Sequence, residues 1–208
     1  PNGWFQLAYS DELAPGAVLP LHYFGRELVL FRTEDGRAQV FDAHCPHLGA
    51  HLGHGGRVEG ARLVCPFHGW SFETSGRCAA IPYAKRIPPQ AVPIAHPTVE
   101  QSGMVFVWRH AGGAAPLWEA PQVPEWGQPE WEPWQKFRWR VRSASQEIIE
   151  GAVDNIHFPT VHKNEGVPEM KVEFDGPWLR TVSSLHLPEG PTEMRVRFYG
   201  IGAGVGRK

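Results

Sequence analysis

Two short loops constrain this chain more than any other stretch. Cys45-Pro46-His47 is followed, seventeen residues on, by Cys65-Pro66-Phe67-His68-Gly69-Trp70. Each loop offers one thiolate and one imidazole, with a proline directly after the cysteine. Two Cys on one iron and two His on the other is the ligand set of a [2Fe–2S] centre with mixed ligation. A structural zinc also takes two Cys and two His, but its paired ligands usually sit two to four residues apart, and Cys-x-His is tighter than that. A packed core would have to collect four metal-binding side chains in Gly- and Pro-rich loops by accident. The iron–sulfur reading fits best and zinc is its rival: the cluster makes a protein red-brown, whereas zinc leaves it colourless.

The residues around these ligands resemble the Rieske domain of ring-hydroxylating, non-haem iron oxygenases, in which Cys-Pro-His-Leu-Gly-Ala (45–50) and Cys-Pro-Phe-His-Gly-Trp (65–70) are the usual form. A narrower similarity runs through Ile81–Pro89 and Pro97–Trp108. Both stretches look like the oxygenase components of 3-ketosteroid 9α-hydroxylases and the related cholesterol 7-desaturases. The resemblance covers roughly Trp4 to His162 and is densest from Asp42 to Trp108.

Composition sets the outer bounds. The chain has 208 residues, 42% of them apolar and 20% charged, as in an ordinary globular protein with room for a core. A net charge of −2 gives no reason to expect nucleic acid or an anionic membrane as partner. No apolar run is long enough to span a bilayer and no signal peptide is visible. Of three cysteines, Cys45 and Cys65 are claimed by the cluster, leaving Cys78 without a disulfide partner. A reducing, cytoplasmic compartment is therefore expected, with Cys78 a small packing residue.

Short β-prone runs with Gly and Pro turns fill the first half: Trp4–Tyr9, Glu27–Arg32, Ala38–Asp42, Arg62–Val64, Ser71–Glu73, Arg77–Ala79 and Met104–Trp108. Asp35-Gly36 and Ser75-Gly76 read as hairpin turns. This half is expected to be an antiparallel all-β domain. His44, His51 and His54 crowd the first loop, but the cluster needs two His, so these are expected to be exposed or hydrogen-bonding. From Ala114 to Pro133 five prolines alternate with Trp118, Trp126 and Trp131, a pattern that blocks helix and central strand yet carries rings that should pack against something. Further on, Arg138–Arg142 reads as a strand and Ser143 or Ser145 as the cap of a helix starting near Gln146. Val172/Phe174, Leu179/Val182 and the alternating run Thr192–Tyr199, with Arg195 and Arg197 outward, read as strands. Gly200–Lys208 is glycine-rich and is expected to form no element.

A second constellation is Asp154-Asn155-Ile156-His157-Phe158-Pro159-Thr160-Val161-His162. On a helix, Asp154 and His157 share nearly one face. His162 lies five beyond His157, and a bend at Pro159 would bring it back beside His157. Two His plus a carboxylate with open positions is the facial triad of non-haem Fe(II) oxygenases; the alternative is an amphipathic helix that happens to hold two His. The resemblance implies that His157 and His162 hold mononuclear Fe(II) and that Asp154 is not a ligand. It would instead bridge, by hydrogen bonds, between His157 and His68 of the partner subunit. The family's third ligand is a carboxylate far downstream. After His162 the acids are Glu165, Glu169, Glu173, Asp175, Glu189 and Glu193, none expected on a helix returning to His157. These residues are therefore expected to be an incomplete oxygenase subunit, and Glu165 is the first carboxylate to test otherwise.

The expected architecture is α+β: an all-β Rieske [2Fe–2S] domain over 1–115, a Pro/Trp-rich crossing segment over 116–137, and the first part of a helix-plus-antiparallel-sheet catalytic domain over 138–208. Cys45, His47, Cys65 and His68 are assigned to the cluster, His157 and His162 to the mononuclear iron, and Asp154 to electron transfer between them. The implied reaction is O₂-dependent hydroxylation of a small apolar, possibly steroid-like substrate, with monooxygenation expected over dioxygenation. Electrons would come from NAD(P)H through a ferredoxin or a flavin/iron–sulfur reductase, and the family suggests a homotrimer. The rival function is a Rieske ferredoxin-like electron carrier, which would not need residues 120–208 or the Asp154, His157 and His162 set.

Overall fold

The computed structural model describes residues 1–187 and 190–207, without the side chain of Leu187. In chain order the elements are β1 (Gly3–Tyr9), β2 (Val18–Tyr23), β3 (Arg26–Arg32), β4 (Ala38–Asp42), β5 (Arg57–Glu59), β6 (Arg62–Val64), β7 (Ser71–Glu73), β8 (Cys78–Ala80), β9 (Ala95–His96), β10 (Thr98–Gln101) and β11 (Met104–Arg109). They are followed by α1 (Ser145–Gly151), α2 (His157–Val161), β12 (Glu169–Asp175), β13 (Trp178–Leu187), β14 (Gly190–Tyr199) and β15 (Gly204–Arg207). The chain divides into two compact units, Gln6–Trp118 and the residues from Glu119 onward together with Pro1–Phe5.

The strands of the first unit pair antiparallel in the orders β2-β3-β4-β9, β5-β6-β7-β8 and β10-β11, with β1 next to β11 in the last sheet. Central β3 buries Leu28, Val29, Leu30 and Phe31 without alternation, as a strand covered on both faces should. Phe31 meets Phe41 of β4 edge-on, their centroids 5.1 Å apart, a geometry worth about 1 kcal/mol beyond burial. Arg32 closes β3: its guanidinium donates in bidentate fashion to Glu100 at 2.6 and 2.8 Å. The core cluster joins Val29, Phe31, Phe41, Leu52, Leu63 and Phe72 to Cys45, Cys65 and Cys78. Cys78 is thus a packing residue, and burial raises its thiol pKa.

Four strands of this unit, β2, β5, β9 and β10, are not expected from the sequence. β2 contains Pro20, which argues against a central strand, and it lies at a sheet edge, where a missing N–H costs nothing. β5 is three residues long and is defined by its pairing with β6 rather than by its own pattern.

In the second unit β12, β13, β14 and β15 form an antiparallel meander. β13 alternates cleanly: Leu179, Thr181, Ser183 and Leu185 are buried while Arg180, Ser184 and His186 are exposed. Several expectations are corrected here. Arg138–Arg142 is exposed and forms no strand, because none of the described strands offers its backbone to it, and strand propensity counts only where a neighbour exists. The glycine-rich tail does form a strand: Gly204 lies against Phe198 so closely that a Cβ there would come within 2.8 Å of the ring, so the missing side chain is what admits β15. Arg197 is not simply outward; its guanidinium lies 5.0 Å from the Trp178 ring and 5.6 Å from Tyr199. The N-cap of α1 is Ala144, with Ser145 already helical and the Ser143 hydroxyl bonded to Glu147. In the Pro/Trp segment Trp118 packs edge-on against Trp108 at 4.7 Å, but Trp126 and Trp131 stay exposed.

Candidate metal centres

The two Cys/His loops fold by one local plan. In the loop after β4, the Gly49 N–H donates to the Cys45 carbonyl at 2.9 Å and the Cys45 N–H to the Ala50 carbonyl at 2.9 Å. In the β6–β7 loop, the Gly69 N–H donates to the Cys65 carbonyl at 3.1 Å and the Cys65 N–H to the Trp70 carbonyl at 2.8 Å. Both glycines are left-handed, φ 73° and 71°, which a glycine adopts without penalty. The five-residue spacing from Cys to Ala50 or Trp70 therefore builds a closed turn that holds one thiol and one imidazole on a fixed frame.

The two loops bring their imidazoles together and bury their thiols in one cluster. The His47 and His68 rings meet edge-on with centroids 4.7 Å apart. Cys45 and Cys65 are buried within the same core cluster. Burial pushes the Cys45 thiol well up, with the neighbouring Cys65 thiol adding to the rise. The Nδ1 of His47 is buried with no hydrogen-bond partner. An orphaned ring nitrogen beside two buried thiols is a donor set that lacks its acceptor, and it fits a [2Fe–2S] group with two Cys and two His. Among the described residues no three His, Cys, Asp or Glu side chains converge on a single ion.

Sequence reasoning quoted Trp70 without giving it a role. Its indole lies flat on the His47 ring, 4.5 Å away and tilted by 10°, and its Nε1–H donates to the Tyr83 hydroxyl at 2.8 Å. No spacing signal in the chain links residue 47 to 70 or 83. His51 is hydrogen-bonded, its Nδ1 accepting the Gly53 N–H at 3.0 Å, whereas His44 is exposed.

The second constellation comes together by a different route from the one expected. α1 ends at Gly151, so Asp154 and His157 do not share a helix. In the link that follows, the Asp154 Oδ1 accepts the Ile156 N–H at 3.0 Å, an aspartate turn that leads into the next helix. His157 then opens α2, placing its Nδ1 3.5 Å from Asp154 Oδ2. Pro159 does not bend a helix; it sits in the first turn of α2, where its missing N–H has no intrahelical partner to lose. His162 follows as the C-cap, its N–H donating to the Phe158 carbonyl at 3.0 Å. The two rings stand 5.1 Å apart, edge to face. They open on a cavity of about 450 Å³ whose other walls include Ile148, Ala152, Phe158, Met194 and Val196.

Two imidazoles, one with a carboxylate behind its Nδ1, fit a mononuclear iron that takes His ligands and leaves positions open. Glu165 and Glu169 are exposed, Glu173 and Asp175 lie on exposed β12, and Glu189 is outside the described residues. No described carboxylate joins the two imidazoles as a third donor.

Comparison with known proteins matches both halves of the chain. Residues 3–96 match the Rieske [2Fe-2S] domain and residues 107–197 match the 3-ketosteroid 9alpha-hydroxylase C-terminal domain. In fold, the chain superimposes on dicamba monooxygenase with a TM-score of 0.73 over 99% of its length and 65% of that chain, at 19% identity. For the Pseudomonas putida NdmA complex with caffeine the TM-score is 0.79 over 98% of this chain and 64% of that one, at 20% identity. The chain belongs to the Rieske non-haem iron oxygenase family. Within it, similarity runs to the steroid-oxidising branch. It is 41% identical over 163 residues to the cholesterol 7-desaturase nvd of Xenopus laevis, covering 78% of this chain and 36% of that protein. It is 40% identical over 164 residues to a probable 3-ketosteroid-9-alpha-monooxygenase oxygenase component of Rhodococcus rhodochrous, covering 77% of this chain and 41% of that protein. The chain thus spans between a third and a half of the length of these two relatives. Among the described residues no helix is long and apolar enough to cross a membrane.

Proposed function

We propose that this chain carries both redox centres of the terminal oxygenase component of a Rieske oxygenase, acting by O₂-dependent monooxygenation of an apolar, steroid-like substrate. The observation that carries the reading is the pairing of His157 and His162 over an apolar-walled cavity, in the same chain as the Cys45/His47 and Cys65/His68 loops. A Rieske ferredoxin-like carrier would have no use for that second arrangement. When bound, the two groups supply one-electron storage and activation of O₂.

The chain's own residues hold, orient and exclude. Cys45 and Cys65 give up their protons on loading, which at Cys45 burial otherwise opposes, so the metal and the folded loops stabilise each other. Asp154 lies behind Nδ1 of His157, which fixes the ring and leaves Nε2 facing away from the carboxylate. We assign Asp154 to electron transfer between the centres of neighbouring subunits in a homotrimer, and His157 and His162 to iron. Ile148, Phe158, Met194 and Val196 keep water from the open positions and favour a bulky apolar substrate over a charged aromatic acid. A ferredoxin or flavin/iron–sulfur reductase delivers electrons from NAD(P)H.

The test is substrate-dependent O₂ uptake by the complete protein with a reductase, screened against 3-ketosteroids, sterols and benzoates. Coupled uptake with a steroid is the expected result. Turnover of benzoates alone would overturn the substrate class. Reduction of the cluster without uptake on any substrate would leave the carrier reading standing.

A further inference from the structure

The two imidazoles of the first centre are held in unequal surroundings. His68 faces Phe67, whose ring is 3.9 Å away, tilted by 35°, and 62% exposed. His47 instead lies under Trp70, stacked within 10° of parallel, and Trp70 is buried in the core cluster. The indole is fixed at its far edge by the Tyr83 hydroxyl, which accepts its N–H at 2.8 Å. Tyr83 itself is largely exposed and lines a surface depression of about 410 Å³ with Pro46, His47, Trp70 and Arg86.

We infer that Trp70, held flat by Tyr83, is a positioning residue that sets how readily the [2Fe–2S] group held by Cys45, His47, Cys65 and His68 accepts an electron. The inference rests on that cluster assignment. Two thiolates and two neutral imidazoles around two ferric ions and two sulfides sum to zero charge, and one electron from the reductase makes the sum −1. A flat apolar ring against His47 keeps water off that side, and its electron-rich face opposes added negative charge. Both effects disfavour the reduced form. Loosening the indole should therefore favour reduction, and the hydroxyl of Tyr83 is what prevents it from tilting.

The test is a mediated redox titration of the purified protein, followed by low-temperature EPR and visible absorption, on wild type, Tyr83→Phe, Trp70→Leu and Trp70→Phe. At a fixed potential near the wild-type midpoint, the reduced-to-oxidised ratio should rise about threefold in Tyr83→Phe and about tenfold in Trp70→Leu. Trp70→Phe, which keeps an aromatic ring on His47 but cannot donate to Tyr83, should match Tyr83→Phe at about threefold. An unchanged ratio in Tyr83→Phe overturns the inference whatever Trp70→Leu does, and decides the matter if Trp70→Leu fails to hold the cluster. A fall in the ratio overturns it too. Wild-type protein with no [2Fe–2S] signal would instead remove the cluster assignment beneath it.

Discussion

Asp154 and His157 meet across 3.5 Å without sharing a helix, the carboxylate lying in the link after α1 and standing behind the ring that starts α2. One Asp154 oxygen is committed to the Ile156 N–H and the other faces Nδ1 of His157. The same side chain thereby builds the turn and sets the ring orientation.

Asp154→Asn keeps an oxygen for the Ile156 N–H but loses the charge beside His157. It should leave iron at both centres while slowing single-turnover electron transfer between them by about 10- to 100-fold. Iron analysis with stopped-flow absorbance checks this. Loss of mononuclear iron alone would make Asp154 a direct ligand, and an unchanged transfer rate would remove it from the pathway.

The first centre is checked by metal chemistry. Anaerobically purified protein should contain acid-labile sulfide and give a Rieske EPR signal on reduction. His47→Cys, if it retains a cluster, should lower the potential, since imidazole ligation raises it relative to all-thiolate ligation. Stoichiometric zinc without sulfide would contradict the assignment.

Two glycines near the cluster should differ sharply in tolerance. Gly49 is left-handed with nothing within 4 Å of a Cβ, so Gly49→Ala should cost about 1–2 kcal/mol of backbone strain. At Gly56 a Cβ would lie 2.0 Å from the Leu52 carbonyl oxygen, a clash with backbone that no rotamer relieves. Gly56→Ala should cost about 3 kcal/mol or more. Denaturant melts of the two variants check the order.

The Arg32–Glu100 pair predicts an acid-sensitive contribution. The hydrogen bonds from Arg32 hold the Glu100 carboxyl below its ordinary value of 4.5. A depressed folded-state value means the contribution is fully present above the unfolded value and is lost as pH falls through the folded one. The stability gap between wild type and Glu100→Gln should therefore be constant near neutrality and shrink below pH 4.5. A gap that is unchanged at the acid end would mean the carboxylate contributes nothing specific.

The sequence alone determined what is local. The Cys and His of each Cys/His loop lie within four residues of one another, and the glycine and carbonyl that close each turn lie within six, so the candidate ligands and the loop geometry are written contiguously. The hairpins at Gly36 and Gly76 are legible for the same reason, since two-strand pairing across a short turn needs no distant partner. Tertiary structure decided everything that depends on what lies opposite. Pro20 is tolerated because β2 is an edge, Arg138–Arg142 is no strand because no described strand pairs with it, and β15 exists because Phe198 presents a flat ring to Gly204. His162 reaches His157 through a one-turn helix rather than a bend, because α1 ends at Gly151 and a separate α2 begins at His157 after the Asp154 turn. The stacking of Trp70 on His47 joins two loops twenty-three residues apart. No periodicity encodes such a contact; it follows from the packing that sets one loop against the other.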